Sequence, residues 1–355
     1  MKENMKKINK NELNQTNKDK SQEVKKILII RNDHIGDLAL STGVFREIKN
    51  SIPNSEITLI VSNSSKSIIE KNKNIDKIII LDMPKKNLKS IFNYIKMSLK
   101  LKKEKFDVGI DLRGSLMNSF FLMWLPGIKK RIGKSDNYTE KYLCKIISLF
   151  LTCPVKTGYY VNDTHITQDN INIINAGLGI NSKNIWPEII FDKDDEKEVR
   201  DLLDNHNIKK YVCLCPFVNA GAEAKQWPKE NYLEIIKWMR KFDFDIFILG
   251  TKDDEKDLNE AKNVNKRVKT LINFDLRKMA VLFKNSLFTL GNDGGPMHIA
   301  WISKAKTIEL LPRYHPILGK NKFSPLKNTI VLFAEKGNMD SLKIEDVKEA
   351  ILKMI

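Results

Sequence analysis

The chain has 355 residues, 42% hydrophobic and 30% charged, with a formal net charge of +17. That length suits two domains of roughly 150 residues each, and the apolar content can build a sizeable core in each. No apolar run approaches the ~18 residues of a membrane span, and the polar stretch Met1 to Lys20 lacks the apolar centre of a signal peptide, so a cytoplasmic protein is expected. The four cysteines, Cys144, Cys153, Cys213 and Cys215, have no C-x-x-C spacing and read as free thiols.

Residues 1–23 are rich in Lys, Asn, Gln and Glu and cannot bury enough surface to offset the entropy of ordering, so a disordered basic arm is expected there. Val24 to Ile30 then reads as a first strand, with a turn over Arg31 to Asp37 and a helix burying Leu38, Val44, Phe45 and Ile48. Strands at Ile57 to Val61, Lys77 to Leu81 and Asp107 to Leu112, with a basic helix from Leu88 to Lys103, continue the alternation. Alternating strands and helices imply a parallel sheet covered on both faces, an α/β Rossmann-like domain over residues 24–185. Gly36 and Asp37 fall where its first strand hands over to its first helix, on the edge that faces a ligand cleft. No G-x-G-x-x-G follows that strand, so the dinucleotide fingerprint is absent.

Residues 84–134 hold 13 Lys or Arg against three acids. Such a surface attracts nucleic acid, anionic headgroups or an acidic substrate, and charge alone does not choose among them. Gly127 to Ser135 has one intervening residue too many for a Walker motif; residues 115–135 are expected to form a helix and a basic loop over the cleft.

Polar residues around Trp186-Pro187 mark the domain boundary, after which the alternation restarts over residues 186–340 and ends in a closing helix within 341–355. Strands are expected at Tyr211 to Cys215, Asp245 to Leu249, Val268 to Leu271, Leu287 to Leu290 and Thr307 to Leu311. Lys225 follows the first of these, on the same edge as Asp293, Gly294, Gly295 and His298, which follow the fourth. Taken singly, these residues also read as a cap, turn glycines, a core histidine and a solvent lysine. Together, at strand-to-helix junctions whose helix starts carry unpaired N–H groups, they suit a phosphate. Asp243-Phe244-Asp245 has the D-x-D form of metal-dependent sugar transferases but leads into a strand, and reads as structural.

From Lys26 onward the chain resembles glycosyltransferase family 9, the heptosyltransferase-like enzymes of lipopolysaccharide core assembly. The resemblance rests on Ile27-Leu28-Ile29-Ile30-Arg31 with Ile35-Gly36-Asp37, on Lys225-Gln226-Trp227-Pro228, and on Asn292-Asp293 with Gly295-Pro296-Met297-His298-Ile299-Ala300. It implies a GT-B fold, two Rossmann-like domains facing a cleft, and inverting, metal-independent transfer of a sugar from a nucleotide diphosphate, with heptose from ADP-heptose foremost. It implies Asp37 as general base and Lys225, Asp293, Gly294, Gly295 and His298 as the donor site, with no cofactor and no metal. An anionic saccharide or lipid-linked acceptor is expected to meet Arg31, Gly36, Arg113, Lys129, Lys130 and Arg131, with peripheral contact at the inner membrane surface. Departures fall on the donor side: Gly294 stands where the family has Thr or Ser, Phe217 where a glycine is common, and Leu311-Pro312-Arg313 replaces a Phe-Gly segment. A transferase using a UDP- or GDP-linked sugar and a non-catalytic basic binding protein are the alternatives. Aromatic residues do not interleave with the basic run as base stacking would require, so nucleic acid is not expected as a partner.

Overall fold

The computed structural model describes residues 25–85, 87–135, 141–157, 164–218, 222–312, 328–335 and 338–355; the expected arm over 1–23 and Arg313 lie outside them. The first sheet contains β1 (Lys25–Arg31), β2 (Ser55–Val61), β3 (Lys77–Ile80), β4 (Val108–Asp111), β5 (Lys130–Lys134) and β6 (Cys153–Val155). The second contains β7 (Tyr211–Cys215), β8 (Asp245–Gly250), β9 (Val268–Ile272), β10 (Thr289–Asn292), β11 (Thr307–Pro312) and β12 (Thr329–Ala334). Every neighbouring pair is parallel, and the orders are β3-β2-β1-β4-β5-β6 and β12-β11-β10-β7-β8-β9. Both are the doubly wound order, in which the chain reverses direction across the sheet beside its first strand. The two reversal points lie between β1 and β4 and between β7 and β10.

The helices are α1 (Ile35–Ala39), α2 (Thr42–Ser51), α3 (Leu88–Glu104), α4 (Lys141–Leu149) and α5 (Ile166–Leu178), then α6 (Lys193–Asn205), α7 (Lys229–Trp238), α8 (Glu255–Val264), α9 (Leu276–Lys284), α10 (Gly295–Ile302) and α11 (Ile344–Leu352). Because successive side chains of a strand point to opposite faces, each continuous apolar run serves two helical layers. Ile27 and Ile29 of β1 pack with α1, α2 and α5, whereas Leu28 and Ile30 pack with α3, α4 and the π-helical turn Asn118–Trp124. Cys213 and Cys215 of β7 face α9 and α10; Val212 and Leu214 face α7, α8 and α11.

The inner layers of the two halves form one continuous apolar core. Arg277 of α9 fastens it: Nε donates to Asp195 Oδ2 at 3.2 Å, and Nη1 donates to Glu70 Oε2 at 2.9 Å and to the Ser67 carbonyl at 3.0 Å. Arg46 of α2 likewise reaches Glu188 at 2.7 Å and the Trp186 carbonyl at 2.9 Å, holding the segment that leads from α5 to α6.

Residues 115–135 differ from the expectation of a helix and basic loop over the cleft. They form the π-helical turn and then the edge-proximal strand β5, because Ile132 and Gly133 alternate into a packed sheet despite their basic neighbours. The strand expected over Leu287 to Leu290 begins two residues later, placing Gly291 and Asn292 within β10.

Candidate functional site

The first half of the site is built at the carboxyl end of β1. Arg31, the last residue of that strand, is nearly fully buried, and its guanidinium joins several partners: Nη1 donates to the Leu112 carbonyl at 2.6 Å, Nη2 to Asp37 Oδ1 at 3.0 Å and Nε to the Asp37 carbonyl at 3.2 Å. Asp33 Oδ1 lies 3.3 Å from the same Nε. Burial pushes the Asp33 carboxyl up to about 6, with Arg31 opposing the rise. Arg31, expected on the acceptor side, both holds Asp37 and lines the cleft. Asp37 itself is part-exposed in the first turn of α1, and its Oδ2 has no hydrogen-bond partner among the described residues.

The second half is built where β7 and β10 end. The Asn292 side chain ties three segments together: Oδ1 accepts from the Trp227 backbone at 3.1 Å and the Tyr232 hydroxyl at 3.1 Å, and Nδ2 donates to the Pro216 carbonyl at 2.6 Å. That clamp carries the turn Glu223–Lys225 to the next residue of the β10 loop, where Lys225 Nζ meets Asp293 Oδ2 at 2.7 Å. His298, one turn into α10, is buried; its Nδ1 accepts from the Trp301 indole at 3.3 Å. An indole N–H can only donate, so the neutral ring carries its proton on Nε2, which lies 3.6 Å from Asp293 Oδ1. Burial holds the imidazole below its ordinary value, opposed by Asp293 and Asp37.

Behind these residues is Glu309 of β11, fully buried, with neither carboxyl oxygen hydrogen-bonded among the described residues. Burial and the Asp293 carboxylate push it well above the ordinary glutamate value, with Lys225 opposing. Asp293, His298 and Glu309 form the one cluster among the described residues with metal-ligand spacing, their ligand atoms lying within 4.8 Å of one another. The set suits a divalent cation poorly, since the Lys225 ammonium already sits 2.7 Å from the Asp293 carboxylate.

The two halves meet at α1 and α10. A methyl on Gly36 would stand 2.6 Å from His298 Cδ2, and one on Gly295 would stand 3.1 Å from Ile35 Cγ2. These two glycines, expected to touch acceptor and donor, also let the helices approach closely. Between the sheets lies a cleft of about 1590 Å³ lined by Asp37, Arg113 and Lys134 on one side and Lys225, Asp293 and His298 on the other. That exceeds the ~300–1,000 Å³ of a single small-molecule site and leaves room for two substrates.

Lys129, Lys130 and Arg131 are not brought to this cleft. They stand at the amino end of β5, the edge opposite the carboxyl ends that form the site. The Arg131 guanidinium is engaged by the Phe150 carbonyl at 2.7 Å and the Ile128 carbonyl at 2.6 Å. Lys134, at the other end of the strand, takes their place in the lining. Asp243 is exposed and paired with Arg267 at 2.8 Å, and Asp245 opens β8 on the edge away from the cleft.

Three residues of the site escaped sequence reasoning. Asp33 had a signal, an acid two residues beyond Arg31 at a strand end. Lys134 was hidden because β5 was not recognised. Glu309 was legible as a lone charge inside the apolar run Thr307 to Leu311.

Gly294 caps α10 with φ of −177°, extended backbone open to any residue, and a Cβ there would meet nothing closer than 3.7 Å. A threonine or serine would fit. The Phe217 ring packs on Gly250, where an added Cβ would stand 3.1 Å away, and both line the donor-side wall.

Comparison with known proteins matches residues 94–351 to the family described as glycosyltransferase family 9 (heptosyltransferase). Lipopolysaccharide heptosyltransferase 1 of Campylobacter coli is 24% identical over 328 residues, covering 86% of this chain and 89% of its own. Among solved structures, a glycosyl transferase family 9 protein from Veillonella parvula superposes with a TM-score of 0.76 at 18% identity, covering 94% of this chain and 98% of that one. An E. coli heptosyltransferase with ADP-2-deoxy-2-fluoro heptose superposes with a TM-score of 0.72 at 16% identity, covering 93% and 100%. At these identities the structures establish a shared fold, the two-domain GT-B arrangement.

Proposed function

The chain belongs to glycosyltransferase family 9, and on that premise we propose that it moves a heptose from ADP-heptose, with inversion and without a metal, to a lipopolysaccharide-core or other lipid-linked saccharide. It would work in the cytoplasm, at the inner face of the membrane. The observation that carries this reading is the opposition of Asp37 to Lys225, Asp293 and His298 across one cleft, each group at the carboxyl edge of its sheet.

In this mechanism the acceptor hydroxyl lies between the free Oδ2 of Asp37 and the anomeric carbon of the donor. As the new C–O bond forms, Asp37 takes the hydroxyl proton, while the bond from the anomeric carbon to the diphosphate breaks on the opposite face. Arg31 keeps Asp37 from rotating away, so the base is oriented before substrate arrives. The departing diphosphate gains negative charge, which the Lys225 ammonium and the free N–H groups at the start of α10 compensate. Neutral His298, with its proton on Nε2, donates to the donor rather than repelling or neutralising it.

Thermal shift of the purified protein with ADP, UDP, GDP and CMP tests the donor, followed by transfer assays with the sugar conjugates of whichever binds. A ligand at a hundred times its Kd adds about 2.7 kcal/mol, a shift of a few degrees. Selective stabilisation by ADP and an inverted anomeric product support the reading. Selective binding of UDP or GDP would keep the transferase and replace the sugar, while silence with every nucleotide would sink the reading.

A further inference from the structure

Among the described residues, large apolar side chains left in solvent concentrate on the outer layer of the first domain. Leu88, Ile91, Phe92, Ile95 and Leu99 recur along α3 at the spacing of a single helical stripe, with Leu88 84% and Phe92 65% exposed. The opposite side of α3 is the one in the core, through Tyr94, Ser98 and Leu101. The neighbouring π-helical turn ends in exposed Trp124 and Leu125, and α4 adds Tyr142, Ile146 and Leu149 at the same helical spacing. All three elements cover one face of the first sheet, so their outward stripes share a side of the molecule.

The charge around this apolar face has one sign. Lys89, Lys96, Lys100 and Lys103 run along one flank of the α3 stripe, all exposed. Glu104 is the sole acid in α3, α4 and the turn between, and it is already paired with Lys77 at 2.6 Å. A second copy of the chain on a two-fold axis would set lysine rows against each other, which disfavours a dimer through this face. An anionic lipid surface meets both features at once: it buries apolar side chains at the acyl boundary and neutralises the lysine heads, whose stems lie along apolar surface. No helix of the described residues is long and apolar enough to cross a membrane, so this layer lies on the surface.

We infer that α3, the π-helical turn and α4 dock this protein on an anionic phospholipid bilayer, with the acceptor side of the cleft opening beside the membrane. Met83 and Pro84 before α3, Leu116 and Met117 before the π-helical turn, and Leu143 of α4 line the cleft, so apolar surface runs from the docking face toward Asp37. This docking deepens the lipid-linked acceptor reading and rests on it for its purpose. Vesicle binding is measured without sugar transfer, so either can fail alone.

The test is flotation of the full chain with phosphatidylcholine vesicles, alone or with roughly one-third phosphatidylglycerol, at about 0.1 M salt. The wild type is expected to float with the anionic vesicles and remain behind with the neutral ones. The double variants Phe92→Asp with Leu99→Asp, and Lys96→Glu with Lys100→Glu, are each expected to bind about tenfold more weakly or worse. Leu352→Asp, an exposed apolar position on α11, is the control and should bind as the wild type does. Unchanged circular dichroism and melting temperature confirm that the variants fold. Absence of wild-type binding to anionic vesicles, or undiminished binding by both double variants, overturns the inference. So does a dimer in sedimentation equilibrium that Phe92→Asp with Leu99→Asp dissolves, which would assign the face to a second copy.

Discussion

Gly36 of the first domain lies directly against His298 of the second, close enough that a Cβ on the glycine would stand 2.6 Å from His298 Cδ2. The contact links the loop that presents the candidate base to the helix that presents the candidate donor site. The imidazole has little freedom to retreat, since Trp301 holds its Nδ1, and the same Cβ would also stand 3.5 Å from Gly295 Cα. Gly36→Ala should therefore force α1 and α10 apart, at a cost of about 1–3 kcal/mol in stability. Urea denaturation would read the first effect, and a loss of turnover larger than the loss of substrate affinity would read the displaced geometry. Unchanged stability and turnover would show that the two helices can slide without consequence.

Gly294 is the contrasting case. Its extended backbone and open surroundings predict that Gly294→Ser is accommodated and gains an N-cap hydroxyl, with a few tenths of a kcal/mol more stability. If the missing hydroxyl weakens donor binding, the variant will also lower the KM for the donor while leaving kcat within about threefold. A rise in KM would instead mean that this chain has adapted its donor site to a bare backbone.

The doubly wound sheets were legible because buried parallel strands are continuous apolar runs, as in Ile27 to Ile30 and Tyr211 to Cys215. β5 escaped because Lys130-Arg131-Ile132-Gly133-Lys134 buries only its second half, and its charges mask a pattern of two inward residues. The same error put Lys129, Lys130 and Arg131 over the cleft, when the direction of a parallel strand sends them to the far edge. Lys225 and Asp293 could be assigned to one sheet edge from sequence, but their 2.7 Å pairing depends on Asn292, whose three side-chain hydrogen bonds span segments up to 76 residues apart. Arg31 illustrates the limit most sharply: only tertiary structure reveals that this strand-end arginine, which lines the cleft, is also held by the Leu112 carbonyl and Asp37.

Asp37→Asn keeps the size of the side chain and removes its ability to take a proton. Because the group is part-exposed, stability should change little, while kcat falls by roughly 10²–10⁴. Arg31→Met tests orientation separately. It leaves the carboxylate present but unrestrained, so turnover should fall by less than in Asp37→Asn, accompanied by a loss of stability from the buried Asp33, left with only the weaker influence of Arg113. Equal turnover in Asp37→Asn and the wild type would remove Asp37 from the chemistry.

Buried carboxyls, Asp33, Asp111 and Glu309, bias the pH dependence of stability one way, and buried His298 opposes them below its ordinary 6.5. Asp33 rises from its ordinary 3.8 to about 6, chiefly through burial, with Asp37 adding to the rise and Arg31 and Arg113 opposing it. Glu309 rises well above its ordinary 4.5 through burial and Asp293, with Lys225 opposing. Between the ordinary and the folded value the unfolded chain releases a proton that the folded chain retains, so stability declines as pH increases. For Asp33 that window closes near pH 6; for Glu309 it begins near 4.5 and continues upward. Asp192, lowered to about 2 mainly by its hydrogen bond to Lys71, has the opposite sign and acts only on the acid side of its ordinary 3.8. Urea midpoints should therefore fall in the wild type from about pH 6.5 to pH 8, whereas below pH 6.5 the depressed His298 contributes a rise that works against the carboxyls. Asp33→Asn should remove the declining contribution below pH 6, and Glu309→Gln, which keeps the shape of a neutral carboxyl, should flatten the part above pH 6.5. A wild-type profile that rises across this range, with Glu309→Gln running parallel to it, would mean that Glu309 is ionised in the folded protein and compensated by Lys225 in place of Asp293.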